Sequence, residues 1–288
     1  MREYTIFTDS GCDINPSLLK EWGVKYVNLT FCFNGSDKEY TNEDLSVKEF
    51  YEKMRNGESA KTSAVNSETF KTAFIEELEK GNDILYLGFS SGLSTTYNSA
   101  RLAAEELGEQ YPENEIIAVD TLCASAGQGL LVYLALKQKE QVAGIGDVAR
   151  FVLDNRLNLC HWFTVDDLEY LKRGGRVSPA VAFVGGVLGI KPVLHVDNEG
   201  HLVNVSKARG RKAALKAIVE KYGELAQDAS NGTIFISHAD CMDDVNQVKQ
   251  MFNDKYGAKV ELVTDIGPVI GAHAGPGTIA LFYIGKER

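Results

Sequence analysis

Five serine and threonine residues stand between positions 90 and 96, directly after the apolar segment Ile84–Gly88. The apolar segment is typical of a strand and Tyr97–Leu107 of a helix, so the hydroxyl-rich stretch is predicted to be the loop between them. In a parallel sheet this loop lies at the carboxyl ends of the strands, where ligands bind, and the following helix N-terminus favours an anion. One helix cap needs only one hydroxyl. The pattern therefore predicts a site for a carboxylate or a phosphate.

The same stretch contains Gly88-Phe89-Ser90-Ser91-Gly92, which matches the GxSxG pattern of the nucleophile elbow in α/β-hydrolases. A serine hydrolase with Ser90 as the nucleophile is therefore the alternative function, with His238, Asp240 or His273 as partners. The sequence has no HGGG-type oxyanion loop, and the chain beyond residue 155 does not continue the hydrolase pattern. A binding site is the preferred interpretation.

Two further segments carry polar groups. Thr62-Ser63 follows Lys61 in a predicted loop, which taken alone is typical of a solvated turn. His273 stands among three glycines and a proline between positions 271 and 277, which predicts a tight backbone around the imidazole. Such a histidine either donates to an anion or assists proton transfer, or it simply bonds to a backbone carbonyl. Spacing alone leaves these alternatives open.

Two basic clusters stand out in an acidic chain: Lys172-Arg173-Gly174-Gly175-Arg176 and the segment from Lys207 to Lys212, which contains Arg209. Clusters of this kind are ordinarily solvated faces. Arginine forks suit phosphate and carboxylate groups, and glycines beside them allow a partner to approach closely. We interpret the clusters as a site for an anion or a protein partner.

Composition excludes several classes of function. The chain has 288 residues and a formal net charge of −10, which argues against nucleic-acid binding. Its longest apolar stretch, Ala180–Ile190, is far shorter than the roughly 20 residues that span a bilayer, so stable membrane insertion is not expected. The first ten residues lack the apolar region of a secretory signal, and five scattered cysteines with no CxxC pair suggest free thiols. We expect a cytoplasmic protein with no metal site.

The order of elements predicts an α/β fold with two domains. Residues 1–156 alternate strand and helix signals, which favours a parallel sheet with helices on both faces, a three-layer domain with a small excursion at about 34–60. Residues 157–288 include a predicted hairpin of Lys191–Val196 with His201–Lys207. The mixture of hairpin and helices favours a two-layer domain with a mixed sheet.

Taken together, the sequence resembles the DegV family, the fatty-acid-binding proteins that serve bacterial fatty-acid kinase. The resemblance covers essentially the whole chain. It rests on ordered segments that are weak singly and specific jointly: Thr8-Asp9-Ser10 with Asp13, Lys61-Thr62-Ser63, Ser90 to Ala100, Val119-Asp120-Thr121, Leu171 to Ser178, and His273 to Gly277.

The resemblance implies a carrier without catalytic residues or cofactor. A palmitate-like fatty acid would lie buried between the two domains, and the protein would serve phospholipid metabolism. The carboxylate-binding residues it implies are Thr62 with its neighbour Ser63, Ser91, Ser94 and His273. The arginines would face a separate ATP-binding kinase subunit, which phosphorylates the bound acid: Arg173, Arg176 and Arg209. A lipid chaperone or sensor without a kinase is a further alternative.

One position and one segment need separate mention. Thr95 stands where the family usually has glycine, and a β-branched residue is less tolerant of unusual φ and occupies room near the headgroup. The glycine-bearing segment Ala180–Ile190 is either a wall of the acyl tunnel or simple core.

Overall fold

The computed structural model describes residues 2–178 and 189–288. The first half contains strands β1 (Tyr4–Asp9), β2 (Lys25–Val27), β3 (Thr30–Phe33), β4 (Ala60–Ser63), β5 (Asp83–Gly88) and β6 (Ile116–Asp120). Its helices are α1 (Pro16–Glu21), α2 (Val47–Arg55), α3 (Ser67–Leu78), α4 (Thr96–Gln110), α5 (Ala126–Lys139) and α6 (Ile145–Asn155).

The second half begins with β7 (Leu159–Thr164) and α7 (Glu169–Arg173). It continues, beyond the residues left undescribed, with β8 (Ile190–Val196), β9 (Leu202–Arg209), α8 (Arg211–Leu225), β10 (Ile234–His238), α9 (Met242–Tyr256), β11 (Val260–Asp265), α10 (Pro268–Ala274) and β12 (Ile279–Ile284). Within the described ranges, no helix is both long enough and apolar enough to cross a membrane.

The first half is built on a parallel sheet in the order β2-β1-β5-β6. Every residue of β5 is buried, as expected for a strand covered on both faces. Leu130 of α5 and Val148 of α6 pack in the core on one face, and Phe74 of α3 and Ala103 of α4 pack on the other. The predicted three-layer parallel-sheet unit is confirmed.

The second half is built on a six-stranded mixed sheet in the order β11-β10-β12-β7-β8-β9. Its outer face packs against α8 and α9, with Leu215 and Phe252 in the shared core. Its inner face, which includes Phe163 and Phe282, packs in the same core as Leu130 of α5. The predicted two-layer unit with a mixed sheet is therefore confirmed, and its inner face lies directly against the first half.

The excursion between β2 and α3 differs from the predicted course of the chain. The segment Lys25–Phe33 contains two strands in different sheets, because the chain leaves the parallel sheet after β2 and β3 pairs with β4. The loop predicted at Lys61–Ser63 is wrong: these residues form most of β4, with Cys32 opposite Lys61. The partner strand lies about thirty positions away, so nothing local in the sequence indicates the pairing.

The predicted tight loop around His273 is also only partly correct. Residues 271–274 form the end of α10, and the turn begins at Gly275. This helix packs with Phe50 and Tyr51 of α2, so it joins the core of the excursion rather than that of its own sheet. Of the segment Ala180–Ile190, predicted as tunnel wall or core, residues 180–188 lie outside the described residues.

Candidate binding site

A cavity of about 500 Å³ lies where the two halves meet. Its walls are mainly apolar and come from both halves, among them Leu29, Phe89, Phe163, Val269 and Phe282. The polar lining residues include Thr62, Ser91, Ser94, Thr95, Arg176 and His273. This volume is within the range of roughly 300–1,000 Å³ typical of small-molecule sites.

Asp9 fixes the start of the loop between β5 and α4, residues 89–95, which we call the hydroxyl loop. It ends β1 at the carboxyl edge of the parallel sheet, and its carboxylate accepts from the Phe89 N–H at 2.9 Å and from the Tyr86 hydroxyl at 2.6 Å. The Gly11 N–H and the Gln128 amide are its other donors. A fully satisfied buried carboxylate of this kind holds the strand-to-loop turn in one conformation.

The hydroxyl loop ends at the first turn of α4. Ser94 Oγ accepts from the Thr96 N–H at 3.2 Å and lies 2.9 Å from Thr96 Oγ1. Thr95 is the residue before the helix, and its φ of −77° and ψ of −1° are ordinary right-handed values. The backbone at this position therefore does not require glycine. The Thr95 side chain adds a further hydroxyl to the cavity lining.

Thr62 and His273 meet from opposite halves of the molecule. Thr62 Oγ1 lies 2.8 Å from His273 Nε2, and His273 Nδ1 is buried without a partner among the described residues. The ring lies so close to Gly174 that a Cβ there would collide with Nδ1. Burial, followed by the positive charge of Arg176, lowers the pKa of His273 to about 4. The imidazole is therefore neutral at pH 7.

Arg176 belongs to the cavity rather than to the outer surface. Its Nε and Nη2 donate to the Leu93 carbonyl at 3.2 and 3.0 Å, and Nη1 donates to the Gly174 carbonyl. Burial lowers the pKa of the guanidinium. These contacts differ from the expectation of an outward-facing side chain, because the two carbonyls hold the guanidinium against the hydroxyl loop.

The other two arginines of the basic clusters are exposed. Arg173 lies over the ring of Tyr170, with 4.8 Å between the guanidinium carbon and the ring centroid. Arg209 ends strand β9 and also faces solvent. The structure thus divides the three predicted arginines into one that lines the cavity and two that do not.

The two remaining serines of the predicted site have different positions. Ser91 lines the cavity, and its N–H donates to the Asp120 carboxylate at 3.2 Å. Ser63 is exposed and is not part of the lining. It is the residue after Thr62 in β4, and successive side chains of a strand point to opposite faces. The structure therefore does not bring Ser63 to the cavity.

Ser90 does not have the surroundings of a hydrolase nucleophile. Its side chain is buried, and its hydroxyl donates to the Gly200 carbonyl at 2.9 Å and accepts from the Gly92 N–H at 3.2 Å. No described histidine is among its hydrogen-bond partners. A serine nucleophile requires an adjacent base. The GxSxG pattern here serves to pack the loop.

His161 is a lining residue that the sequence analysis missed. Its Nε2 accepts from the Ala124 N–H at 3.2 Å, so Nδ1–H donates to the Leu159 carbonyl at 3.2 Å. Burial holds the pKa of this imidazole well below its usual value. Both ring nitrogens are bonded within the protein, so the residue presents only ring carbons to a ligand. The one feature of the sequence that could have indicated a buried His161 is its position in the apolar segment that forms β7.

No group of histidine, cysteine, aspartate and glutamate residues in the described part of the chain is arranged to hold a metal ion. All five cysteines lie in that part and are free thiols.

The fold and the cavity together define a two-unit α/β protein with a largely apolar chamber between its sheets. The family model described as "Uncharacterised protein, DegV family" matches residues 3–286. The chain belongs to the DegV family.

A DegV domain-containing protein of Clostridium perfringens is 44% identical over 291 residues, which cover 100% of this chain and 99% of that protein. A DegV family protein from Thermus thermophilus, whose structure is described as fatty-acid binding, is 32% identical to this chain, with a TM-score of 0.88. The match covers 99% of this chain and 100% of the Thermus chain. A stearic acid-binding protein from Eubacterium ventriosum is 25% identical with a TM-score of 0.88, covering 98% of each chain. These relatives are similar to this protein along their whole length.

Proposed function

We propose that this protein binds a long-chain fatty acid and presents its carboxylate to the ATP-binding subunit of a fatty-acid kinase. The observation that carries the proposal is a largely apolar cavity that Ser94 lines and in which the Thr62 hydroxyl lies 2.8 Å from the His273 imidazole. Relatives described as fatty-acid-binding proteins support the choice of ligand. Ser91 is a further donor to the carboxylate because it lines the cavity, and Ser63 is not included because it does not.

The two parts of the cavity have different energetic roles. Burial of apolar surface is worth roughly 0.8 kcal/mol per CH₂, so the fourteen methylenes of a palmitate-like acid contribute about 11 kcal/mol. A hydrogen bond to a charged group contributes roughly 1.5–3 kcal/mol. The tail therefore supplies most of the affinity, and the polar groups decide which end of the ligand lies at Thr62 and His273.

A neutral imidazole and neutral hydroxyls leave the negative charge on the carboxylate. His273 is uncharged at pH 7 because its pKa is lowered to about 4. The nearby cation, Arg176, is already bonded to two backbone carbonyls. In the proposed reaction a carboxylate oxygen attacks the γ-phosphorus of ATP held by the kinase subunit, and the bond from that phosphorus to ADP breaks. This chain contributes the orientation of the carboxylate.

Native mass spectrometry of the purified protein tests the binding step. A buried acyl chain should survive purification, so we expect a mass increment equal to one long-chain fatty acid. Delipidated protein should regain this increment on incubation with palmitate and not with a short-chain acid such as butyrate. A protein that emerges without lipid and takes up none would contradict the proposal.

The exposed arginines test the presentation step. Arg173→Ala and Arg209→Ala should keep wild-type lipid content, because neither side chain lines the cavity. Acyl-phosphate formation with a kinase subunit and ATP should fall about tenfold, about 1.4 kcal/mol. Lys20→Ala, which removes an exposed cation from α1, is the matched control. Unchanged acyl-phosphate formation in both arginine variants would show that Arg173 and Arg209 belong to the solvated surface and do not serve the kinase subunit.

A further inference from the structure

The helix that carries His273, α10, has no capping side chain of its own. Gly267 precedes the helix and supplies no side-chain acceptor, and Pro268 at the first helical position has no N–H. The first N–H groups of a helix have no partner within the helix. Those around the start of α10 therefore need acceptors from elsewhere in the chain.

Two side chains of the first half supply these acceptors. Asp13 Oδ1 accepts from the Gly267 N–H at 2.9 Å, and Asn42 Oδ1 accepts from the Val269 N–H at 3.0 Å. A Cβ at position 267 would lie 2.6 Å from Asn42 Nδ2 and 3.1 Å from Asp13 Oδ1. The backbone there has a φ of −67°, which any residue adopts. Position 267 therefore requires glycine because the side chains of Asn42 and Asp13 occupy the space that a Cβ would need.

Both acceptors are held in place from other directions. The Ser125 hydroxyl donates to Asp13 Oδ2, and Thr264 Oγ1 donates to the Asp13 carbonyl at 2.7 Å. Asn42 Nδ2 donates to the Ser10 carbonyl at 3.2 Å. Asp13 has a φ of 50°, a left-handed conformation that aspartate and asparagine tolerate better than most residues.

We propose that Asp13 and Asn42 are positioning residues that set His273 against Thr62 by capping α10 from the other half of the molecule. The inference rests on the proposed function. It makes α10 a bridge that the first half holds at both ends, by Asp13 and Asn42 at its start and by Thr62 at its end. The seven residues of α10 span about 10 Å and His273 lies about one turn beyond Val269, so we expect a shift of the first turn to displace His273.

The test measures the pKa of His273 by NMR together with the bound lipid. In Asp13→Ala and Asn42→Ala we expect the pKa to rise from about 4 toward the 6.5 of a solvated imidazole, because the ring is no longer held in its buried position. Bound fatty acid should fall to the level of a variant that lacks the Thr62 hydroxyl. Asp13→Asn should retain both wild-type values, since asparagine keeps an oxygen for the Gly267 N–H and suits the left-handed φ.

Asp83→Ala is the matched control. Asp83 is also a buried aspartate whose carboxylate accepts one backbone N–H, that of Glu115 at 2.9 Å, but it stands at the start of β5, away from the hydroxyl loop. It should lower the thermal midpoint and leave the pKa of His273 unchanged. If Asp13→Ala does not fold, Asn42→Ala carries the test, because Asn42 is only partly buried.

The outcomes separate the positioning role from the proposed function. An unchanged pKa of His273 in the folded Asn42→Ala variant, or an equal rise in Asp83→Ala, would overturn the positioning role. A raised pKa with unchanged bound lipid would support the positioning role and contradict the assignment of His273 to the fatty-acid carboxylate.

Discussion

Removing the Thr62 hydroxyl is the sharpest test of the carboxylate site. Thr62→Val keeps the branched shape that suits strand β4 and deletes one hydrogen-bond donor. The variant loses a bond to a charged group, worth roughly 1.5–3 kcal/mol, and leaves His273 Nε2 without its 2.8 Å partner. At about 1.4 kcal/mol per factor of ten, fatty-acid affinity should fall roughly 10- to 150-fold.

Displacement of a fluorescent fatty acid gives the dissociation constant for each variant. Thr62→Ser retains the hydroxyl and should bind within a few-fold of wild type. Ser63→Ala alters the next residue of the same strand, which is exposed and outside the cavity, so its affinity should match wild type. Unchanged affinity in Thr62→Val, or a larger loss in Ser63→Ala, would refute the assignment of Thr62 to the carboxylate.

Three further predictions address the rest of the site. A fluorophosphonate should not label Ser90, whose buried hydroxyl is already bonded within the protein, and stoichiometric labelling seen by mass spectrometry would restore the hydrolase hypothesis. Gly174→Ala places a methyl against the ring of His273 and should weaken fatty-acid binding by about 1–3 kcal/mol, as overpacking does. The neighbouring Gly175→Ala is its control, because a Cβ there meets no atom within 4 Å, although the φ of +71° lowers the stability of the variant. Equal losses of fatty-acid affinity in the two variants would count against the steric argument. Burial raises the pKa of Asp13 from 3.8 to about 8. Between these two pH values the folded state keeps the Asp13 proton and the unfolded state has released it. The contribution to stability is therefore present at low pH and is lost as pH rises through about 8, and denaturant unfolding should show this trend in wild type and not in Asp13→Asn.

Local signals in the sequence predicted the main elements of the fold. The capping-box pair Ser46 and Glu49 stands at the start of α2, and Asn15-Pro16 stands at the start of α1, since both signals act within one helical turn. The run of hydroxyls predicted an anion site at the loop before α4, and Ser91, Ser94 and Thr95 of this loop line the cavity. These features need no partner distant in the chain.

The missed elements depend on distant partners. Strand β4 around Thr62 has little apolar alternation of its own and is defined by pairing with β3. Helix α10 was missed because its caps are Asp13 and Asn42, more than two hundred positions earlier. The basic cluster around Arg176 is typical of a solvated surface. The Leu93 carbonyl that accepts from its guanidinium is distant in the sequence and is brought close only by the fold.

The contact between the hydroxyl loop and the β8–β9 hairpin constrains how these two segments can change during evolution. A Cβ at Gly200 would collide with Ser90 Oγ, and a Cβ at Gly92 would lie 2.8 Å from the Glu199 carbonyl oxygen. Gly200 also has a φ of +80°, which disfavours any side chain there. A side chain at position 200 should therefore be accepted only alongside a smaller residue at position 90, whereas position 92 should stay glycine because the atoms that a Cβ would meet there belong to the backbone. Ser90 and Gly92, the serine and the second glycine of the GxSxG pattern, would then be retained for packing without any esterase ancestry, so a motif search alone would misassign such chains.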